Sequence, residues 1–155
     1  MFRNNTTIVS FKQLKYFTLS KSFTNQFQGC TNLTTIVFHD ASSCTGLVFQ
    51  NDAKLENVWS ESGHHIPLAT TYLPYGLFWS CKKLNVVDIN NITNINENAF
   101  YQAVVEKLIC HSTTLPNYLP SQAKKIYVPD ESVNDYKAKF TSLQSKIYPL
   151  SQYIE

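Results

Sequence analysis

The sequence predicts an α/β solenoid of about six short parallel strands, each preceded by a short helical turn, with a capping helix at the C-terminal end. The first observation is the stretch 27–38, where apolar residues are three apart as far as Leu33 and two apart from Ile36 to Phe38. These spacings are typical of a helical turn followed by a half-buried strand. The second observation is that the pattern recurs. Units this short cannot bury their apolar edges alone, so they must stack.

The strand half of the unit follows the pattern L-x-x-L-x-L with conservative substitutions. Six segments fit this pattern, at 14–19, 33–38, 55–60, 84–89, 105–110 and 123–128, and their starts are 19, 22, 29, 21 and 18 residues apart. The segment at 55–60 is the weakest, because it ends on a polar residue. Periods of about 20–29 residues with this pattern are typical of leucine-rich repeats.

The residues before the strands argue against a β-sandwich or barrel, the alternative for six short strands. The lead-in Phe-x-x-Cys-x-x-Leu occurs at 27–33 and at 78–84, and 49–55 has it with aspartate in place of cysteine. A sandwich does not require the same lead-in before every strand, whereas a solenoid does.

These residues resemble a known family. The stretches 27–33 and 92–100 are similar to the two halves of a BspA-like leucine-rich repeat. The stretch 125–138 resembles the end of many bacterial members, with a last strand, a proline and a short helix. The resemblance covers roughly residues 8–150. It implies a right-handed solenoid that binds proteins or surfaces, often in adhesion, and it implies no catalytic residues.

The 155 residues favour a single domain with a core large enough to fold unaided. We predict an N-terminal extension at 1–7, repeats at 8–128, an insertion loop at 61–76 and a C-terminal cap at 129–148. In the cap, Asp130 follows Pro129 and is predicted to be the helix N-cap. An apolar stripe at helical spacing should cover the last repeat, and it consists of Val133, Tyr136, Phe140 and Leu143. The N-terminal end has no matching cap pattern.

The composition gives no sign of nucleic-acid binding or membrane insertion. Charged residues make up 15% of the chain, against a usual value of about 25%, and the formal charge is only +2. No apolar run approaches the roughly 20 residues that a membrane-spanning helix needs. No signal-peptide core begins the chain. We expect a surface-associated protein, on a cell or a virion, rather than a cytoplasmic one.

The four cysteines, Cys30, Cys44, Cys81 and Cys110, form no C-x-x-C pair. We predict that they are small buried core residues. A disulfide between Cys30 and Cys81 is doubtful, because a whole repeat separates them and the Cα atoms of a disulfide must lie within about 7 Å.

The outward positions of the strands predict a binding face. Stacked x positions form columns, and the column between the last two core positions is unusually apolar for an exposed sheet. The predicted partner face consists of Tyr16, Val37, Trp59, Val86, Ile109 and Tyr127. The insertion loop should add His64, His65, Tyr72 and Tyr75 at its edge. Two alternatives remain: the insertion folds back over this face, or β-propensity alone selected these residues.

No catalytic, metal or cofactor motif is predicted. The chain has four glycines, no phosphate-binding loop, and neither G-x-S-x-G nor H-E-x-x-H. His64 and His65 are the best metal candidates, but adjacent histidines point in different directions and no third ligand is nearby in sequence. We therefore expect a satisfied loop pair and no enzyme activity.

The sequence thus favours a non-enzymatic protein-binding or adhesion module, with no cofactor. The alternative is a structural subunit of a larger assembly, such as a bacteriophage virion, whose partners would be other subunits. The missing signal sequence and the uncapped N-terminal end favour this second hypothesis.

Overall fold

The computed structural model describes residues 2–13, 25–42 and 49–155. Within these residues the strands are β1 (Ser10–Phe11), β2 (Thr35–Phe38), β3 (Asn57–Ser60), β4 (Tyr72–Leu73), β5 (Leu84–Asp88), β6 (Asn94–Ile95), β7 (Val105–Ile109), β8 (Ala123–Val128) and β9 (Ile147–Pro149). Seven of them form one parallel sheet in the order β1-β2-β3-β5-β7-β8-β9, and β4 pairs with β6. The predicted α/β solenoid is confirmed.

The register of the sheet matches the predicted columns over most of their length. Thr35 pairs with Asn57 and Val37 with Trp59. In the strands nearer the C-terminal end of the stack, Lys107 pairs with Lys125, and Ile109 pairs with Tyr127. In β2 and β3, buried and half-buried residues alternate, as expected for strands with one face against the core.

In the described repeat turns that begin with a phenylalanine, the second residue after it is in the left-handed backbone region. These residues include Gly29 (φ 76°), Asn51 (φ 67°), Ser80 (φ 60°) and Gln102 (φ 55°). Because of this conformation, the backbone N–H group of the residue points toward a backbone carbonyl of the next turn. The Gly29 N–H donates to the Gln50 carbonyl at 2.8 Å, and the Asn51 N–H donates to the Trp79 carbonyl at 2.8 Å.

A stack of phenylalanine rings forms the centre of the core. It contains Phe2, Phe27, Phe49, Phe78 and Phe100. Successive ring centroids lie 5.4, 5.9, 5.9 and 5.2 Å apart. Four of the five rings are fully buried, and Phe2 is half-buried at the end of the stack. One lead-in phenylalanine per turn therefore builds a continuous core.

The first turn of the stack begins earlier than the sequence analysis predicts. Asn4 has a φ of 59°, its N–H donates to the Gln28 carbonyl at 2.8 Å, and Phe11 pairs with Ile36. Residues 2–11 thus form a complete repeat turn, and an N-terminal extension at 1–7 is wrong. The strand beside β2 is β1. The predicted strand at 14–19 lies wholly outside the described residues.

The insertion contributes to both sheets instead of forming a simple loop. The Ser60 N–H donates to the Gly63 carbonyl, and the Ile66 N–H donates to the Asp88 carbonyl, both at 2.8 Å. His65 therefore forms a parallel β-bridge with Asp88. In the predicted column, the residue next to Asp88 is Trp59. Further along, β4 lies within the insertion and pairs with β6.

The C-terminal cap has a shorter helix than its sequence pattern predicts. The helix α1 spans Val133–Lys139 and lies between two 3₁₀ turns, Asp130–Ser132 and Thr141–Lys146. Tyr136 and Leu143 are buried against the last repeat, as predicted. The described residues contain no helix with the length and apolar character needed to cross a membrane.

Asp130 is not the predicted N-cap. The residue before α1 is Ser132, and no side chain makes a capping hydrogen bond there. The Asp130 carboxylate instead accepts a hydrogen bond from the Ser151 N–H at 2.9 Å. This contact lowers the pKa of Asp130, because hydrogen bonds from Ser151 stabilise its charged form.

Candidate functional site

The C-terminal segment 147–155 covers half of the predicted binding face, and we call this segment the C-terminal strap. Val86, Ile109 and Tyr127 are 9, 4 and 5% exposed. Their cover consists of Tyr148, Leu150 and Tyr153. The expectation that these three residues are exposed is therefore wrong. The reason is that β9 pairs in parallel with β8, which brings the end of the chain back across the sheet.

Polar and aromatic contacts hold the C-terminal strap in place. The Tyr153 and Tyr127 rings meet edge-on with centroids 5.2 Å apart. The Lys107 ammonium lies 5.1 Å from the Tyr153 ring centroid and donates to the Ile154 carbonyl at 2.7 Å. Burial raises the pKa of Tyr153 above its usual value. The strap is thus packed against the sheet through several separate contacts.

The remaining part of the predicted face is half-buried. Val37 and Trp59 lie side by side, and the Trp59 ring contacts the His64 ring at a centroid distance of 4.4 Å. Tyr16 lies outside the described residues, and the sheet position beside Thr35 belongs to Ser10. The insertion therefore does fold against this face, as one of the alternatives anticipated.

The other predicted residues of the insertion are separated from one another. Tyr72 is half-buried, and its hydroxyl accepts a hydrogen bond from Asn96 Nδ2 at 3.2 Å. Tyr75 is 55% exposed. The His64 Nδ1 lies 3.7 Å from the Glu155 Oε1. These residues do not converge on one site.

An aromatic ledge, formed by Tyr75, Trp79 and Tyr101, lies on the turn side of the solenoid. The Trp79 ring contacts the Tyr75 ring at 5.6 Å and the Tyr101 ring at 4.4 Å between centroids. Tyr75 and Tyr101 are 55 and 41% exposed. Of these three residues, the sequence pattern predicts only Tyr75 as a binding residue. The available signal is that Trp79 and Tyr101 directly follow the core residues Phe78 and Phe100, so both must point outward.

A second group, of which the sequence predicts only His65, lies beside the insertion, at the edge of the sheet that the C-terminal ends of β5 and β7 form. This His-Asp-His cluster consists of His65, Asp88 and His111. Asp88 Oδ2 lies 2.5 Å from His65 Nδ1 and 2.9 Å from His111 Nε2. All three donor atoms lie within 4.8 Å of one another. No third ligand lies near His64 and His65 in the sequence. Strand pairing instead brings Asp88 and His111 beside His65.

The electrostatics of the cluster follow from the burial of its carboxylate. The Asp88 side chain is 4% exposed, and its Oδ1 accepts the Asn90 N–H at 2.8 Å. Its hydrogen bond to His111 raises the pKa of that histidine, because the carboxylate stabilises the imidazolium form. Two imidazoles and one carboxylate are a donor set that can hold a transition-metal ion.

The cluster borders an open cavity of about 520 Å³. Its lining includes His64, His65, Asp88, His111, Tyr153 and Glu155. The cavity therefore lies where the insertion, the sheet and the C-terminal strap meet.

The described cysteines offer no reactive thiol. Cys30, Cys81 and Cys110 are free and buried, as predicted for core residues, and Cys44 lies outside the described part of the chain. Burial raises the pKa of Cys30 to about 11, so its thiol stays protonated at neutral pH. Burial raises the pKa of Cys81 and Cys110 as well.

A stack of short parallel strands with one turn per repeat defines a solenoid protein. The BspA-type leucine-rich repeat region matches residues 12–127 in six copies, about three-quarters of the sequence, and the chain belongs to this family. Such repeats generally mediate protein–protein interaction or adhesion, are typical of surface proteins and are generally non-enzymatic. No curated protein matches the chain.

Proposed function

We propose that this protein is a non-enzymatic binding module that holds a protein partner on the aromatic ledge. The observation that carries the proposal is the exposure of Tyr75 and Tyr101 on either side of Trp79, whose ring contacts both. Tyrosine and tryptophan are the side chains most often found at the energetic centre of protein interfaces. The family supports the choice of a protein partner, because these repeats generally mediate protein–protein interaction.

The ledge is better suited to binding than the sheet face predicted from the sequence. The C-terminal strap already occupies the sheet beside Ile109 and Tyr127, whereas the ledge rings are open to solvent on their outer side. The rings are also supported from below. Phe78 and Phe100, which precede Trp79 and Tyr101, are fully buried in the phenylalanine stack. A partner would therefore meet rings on a rigid base, and this lowers the entropic cost of binding.

The test is a comparison of three immobilised chains as baits for extracts of the source organism. The wild type is compared with a Tyr75→Ser/Tyr101→Ser double variant and with the control Leu68→Ser, which changes an equally exposed apolar residue. We expect a protein that the wild type and the control recover equally and that the double variant recovers at least about tenfold less. Its binding is then measured with the purified partner. Equal recovery by all three chains would overturn the proposal.

A surface-assembly role is the second candidate, and one observation favours it. Phe2, Ile8 and Phe11 at the first turn are only partly buried, so apolar surface remains at that end of the stack. A second copy or another subunit would cover this end. Size-exclusion chromatography with light scattering separates the candidates, because a monomer over the micromolar range supports the free binding module. Stable oligomers that a Phe2→Ser variant dissociates would support the assembly role.

A further inference from the structure

Three neighbouring parts of the fold bring the His-Asp-His cluster together. His65 comes from the insertion, Asp88 ends β5, and His111 follows β7. His65 bridges to Asp88 in parallel pairing, and Asp88 pairs with Ile109, two residues before His111. Because alternate residues of a strand share a face, His111 lies on the same side of the sheet as Ile109 and Asp88. The backbone pairing, rather than a flexible surface contact, therefore sets the positions of the three donors.

One of the three atoms of the cluster that could bind a metal ion lacks a hydrogen bond. His65 Nδ1 is buried and lies 2.5 Å from Asp88 Oδ2, but it makes no hydrogen bond of acceptable geometry. His111 Nε2 approaches the same oxygen at 2.9 Å. A buried polar atom without a partner is costly. Two imidazole nitrogens that converge on one carboxylate, with one of them unsatisfied, form an arrangement that a cation would complete.

We propose that His65, Asp88 and His111 form a binding site for a divalent transition-metal ion, with Zn²⁺ as the ion that fits best. Neutral imidazole and carboxylate are both good zinc ligands, whereas Mg²⁺ and Ca²⁺ prefer oxygen ligands alone. A fourth position faces the cavity, where water or a further ligand completes a tetrahedral shell.

Ion binding requires a rearrangement of the two histidine side chains. With metal–ligand bonds of about 2.1 Å, tetrahedral ligand atoms lie about 3.4 Å apart. The nitrogens of His65 and His111 must therefore each move away from Asp88 Oδ2 by less than about 1 Å. The separation of the two nitrogens, which lie within 4.8 Å of one another, must also become about 3.4 Å. Both histidine side chains are 33% exposed at the border of the cavity, so they have room to move, while the 4% exposed Asp88 stays fixed.

The bound ion would fasten the insertion to the sheet. His65 belongs to the segment that hydrogen-bonds β5, while His111 belongs to the connection after β7. A single ion would therefore link three segments that are otherwise joined at this edge by a few hydrogen bonds. Because such an ion binds only the folded chain, it raises the free energy of unfolding.

The test uses tag-free protein that has been stripped of metal with a chelator and kept reduced. Titration calorimetry with ZnCl₂ should show one ion per chain for the wild type. His65→Ala and His111→Ala should each lower the affinity at least about 100-fold, since loss of an outer partner of a metal ligand already costs about 10–100-fold. His39→Ala is the matched control, because His39 is a half-exposed histidine that pairs with Glu61 at the same sheet edge.

Nuclear magnetic resonance of the wild type removes any dependence on the folding of the variants. On addition of Zn²⁺, the ring ¹⁵N signals of His65 and His111 should move, and those of His39 should not. Absence of zinc binding by the wild type would overturn the proposal. Binding that survives both the His65 and His111 substitutions, or that moves the His39 signals instead, would also overturn it.

Discussion

Asp52 is a buried carboxyl group at a position where two other repeats have cysteine. It occupies the place of Cys30 and Cys81 in the lead-in, is fully buried, and accepts the Cys30 N–H at 2.7 Å through Oδ1. Its Oδ2 is buried and makes no hydrogen bond. Burial raises the pKa of Asp52 from its ordinary 3.8 to about 8, because the charged form loses its hydration.

The free energy of unfolding should therefore fall as the pH rises from about 4 to about 8. In this window the folded chain holds the Asp52 proton and the unfolded chain has released it, so each step up in pH favours unfolding. One such proton contributes at most about 1.4 kcal/mol per pH unit. Asp52→Asn keeps the acceptor for the Cys30 N–H and removes the titration. Urea unfolding between pH 5 and pH 8 should give a flatter profile for this variant, and parallel profiles would contradict the prediction.

Gly29 is the position where the left-handed turn residue is most constrained. A Cβ added to Gly29 would lie 2.3 Å from the Asn4 Oδ1. We expect Gly29→Ala to lower the free energy of unfolding by about 1–2 kcal/mol, from its φ of 76° together with this contact. A second substitution, Asn4→Gly, removes the contact and suits the φ of 59° at Asn4. In urea unfolding the double variant should recover part of the loss; no recovery would mean that the backbone conformation alone sets the cost.

At the scale of elements, the C-terminal strap should stabilise the fold through Tyr153. Tyr153 packs against Tyr127 and below Lys107, while its neighbour Ile154 is 79% exposed. We expect Tyr153→Ser to lower the free energy of unfolding by about 1–2 kcal/mol, because it exposes the apolar sheet surface beneath. Ile154→Ser is the control and should be within about 0.5 kcal/mol of the wild type. If thermal and urea unfolding show a loss for Tyr153→Ser as small as that expected for Ile154→Ser, the strap contributes little to stability.

Most elements of the stack were predictable because each repeats its own local pattern. The turn at 27–33 and the strand that follows it share spacings with 78–88. Alignment of the L-x-x-L-x-L segments placed Val37 beside Trp59. The first turn was missed because Asn4, Asn5 and Ile8 replace the glycine, cysteine and leucine of the best-preserved unit. Phe2, Ile8 and Phe11 nevertheless stand at the positions of Phe27, Leu33 and Ile36.

The His-Asp-His cluster and the strap cover were not predictable from one sequence by the same means. His65 meets Asp88 because the insertion takes a sheet position that the repeat pattern assigns to Trp59. Tyr148 is the last residue of the predicted cap and Tyr153 follows it. Both belong to no repeat, so no column contains them. Both features depend on where a non-repeating segment returns to the stack, and a periodic pattern carries no information about that path.

At the scale of the whole molecule, the phenylalanine stack should make the described turns unfold together. The Phe49 ring lies 5.9 Å from each of the Phe27, Phe38 and Phe78 rings. Phe49→Ala should lower the free energy of unfolding by about 3–5 kcal/mol, because it leaves a cavity in the middle of the stack. Phe2→Ala, at the half-buried end, should cost clearly less. Coincident urea transitions by circular dichroism and by tryptophan fluorescence would support a single cooperative unit, whereas separate transitions would contradict it.

The left-handed turn residues have a mechanical consequence. The N–H groups of Asn4, Gly29, Asn51 and Ser80 each donate to the next turn, at 2.8–2.9 Å, on the side of the solenoid away from the strand ladder. Adjacent turns are thus fastened along two separate lines, and a pair of turns cannot open like a hinge about either line without breaking the other. Side chains on successive turns therefore keep a fixed pitch, so the Trp79 and Tyr101 rings, which lie on adjacent turns, should hold their spacing under load.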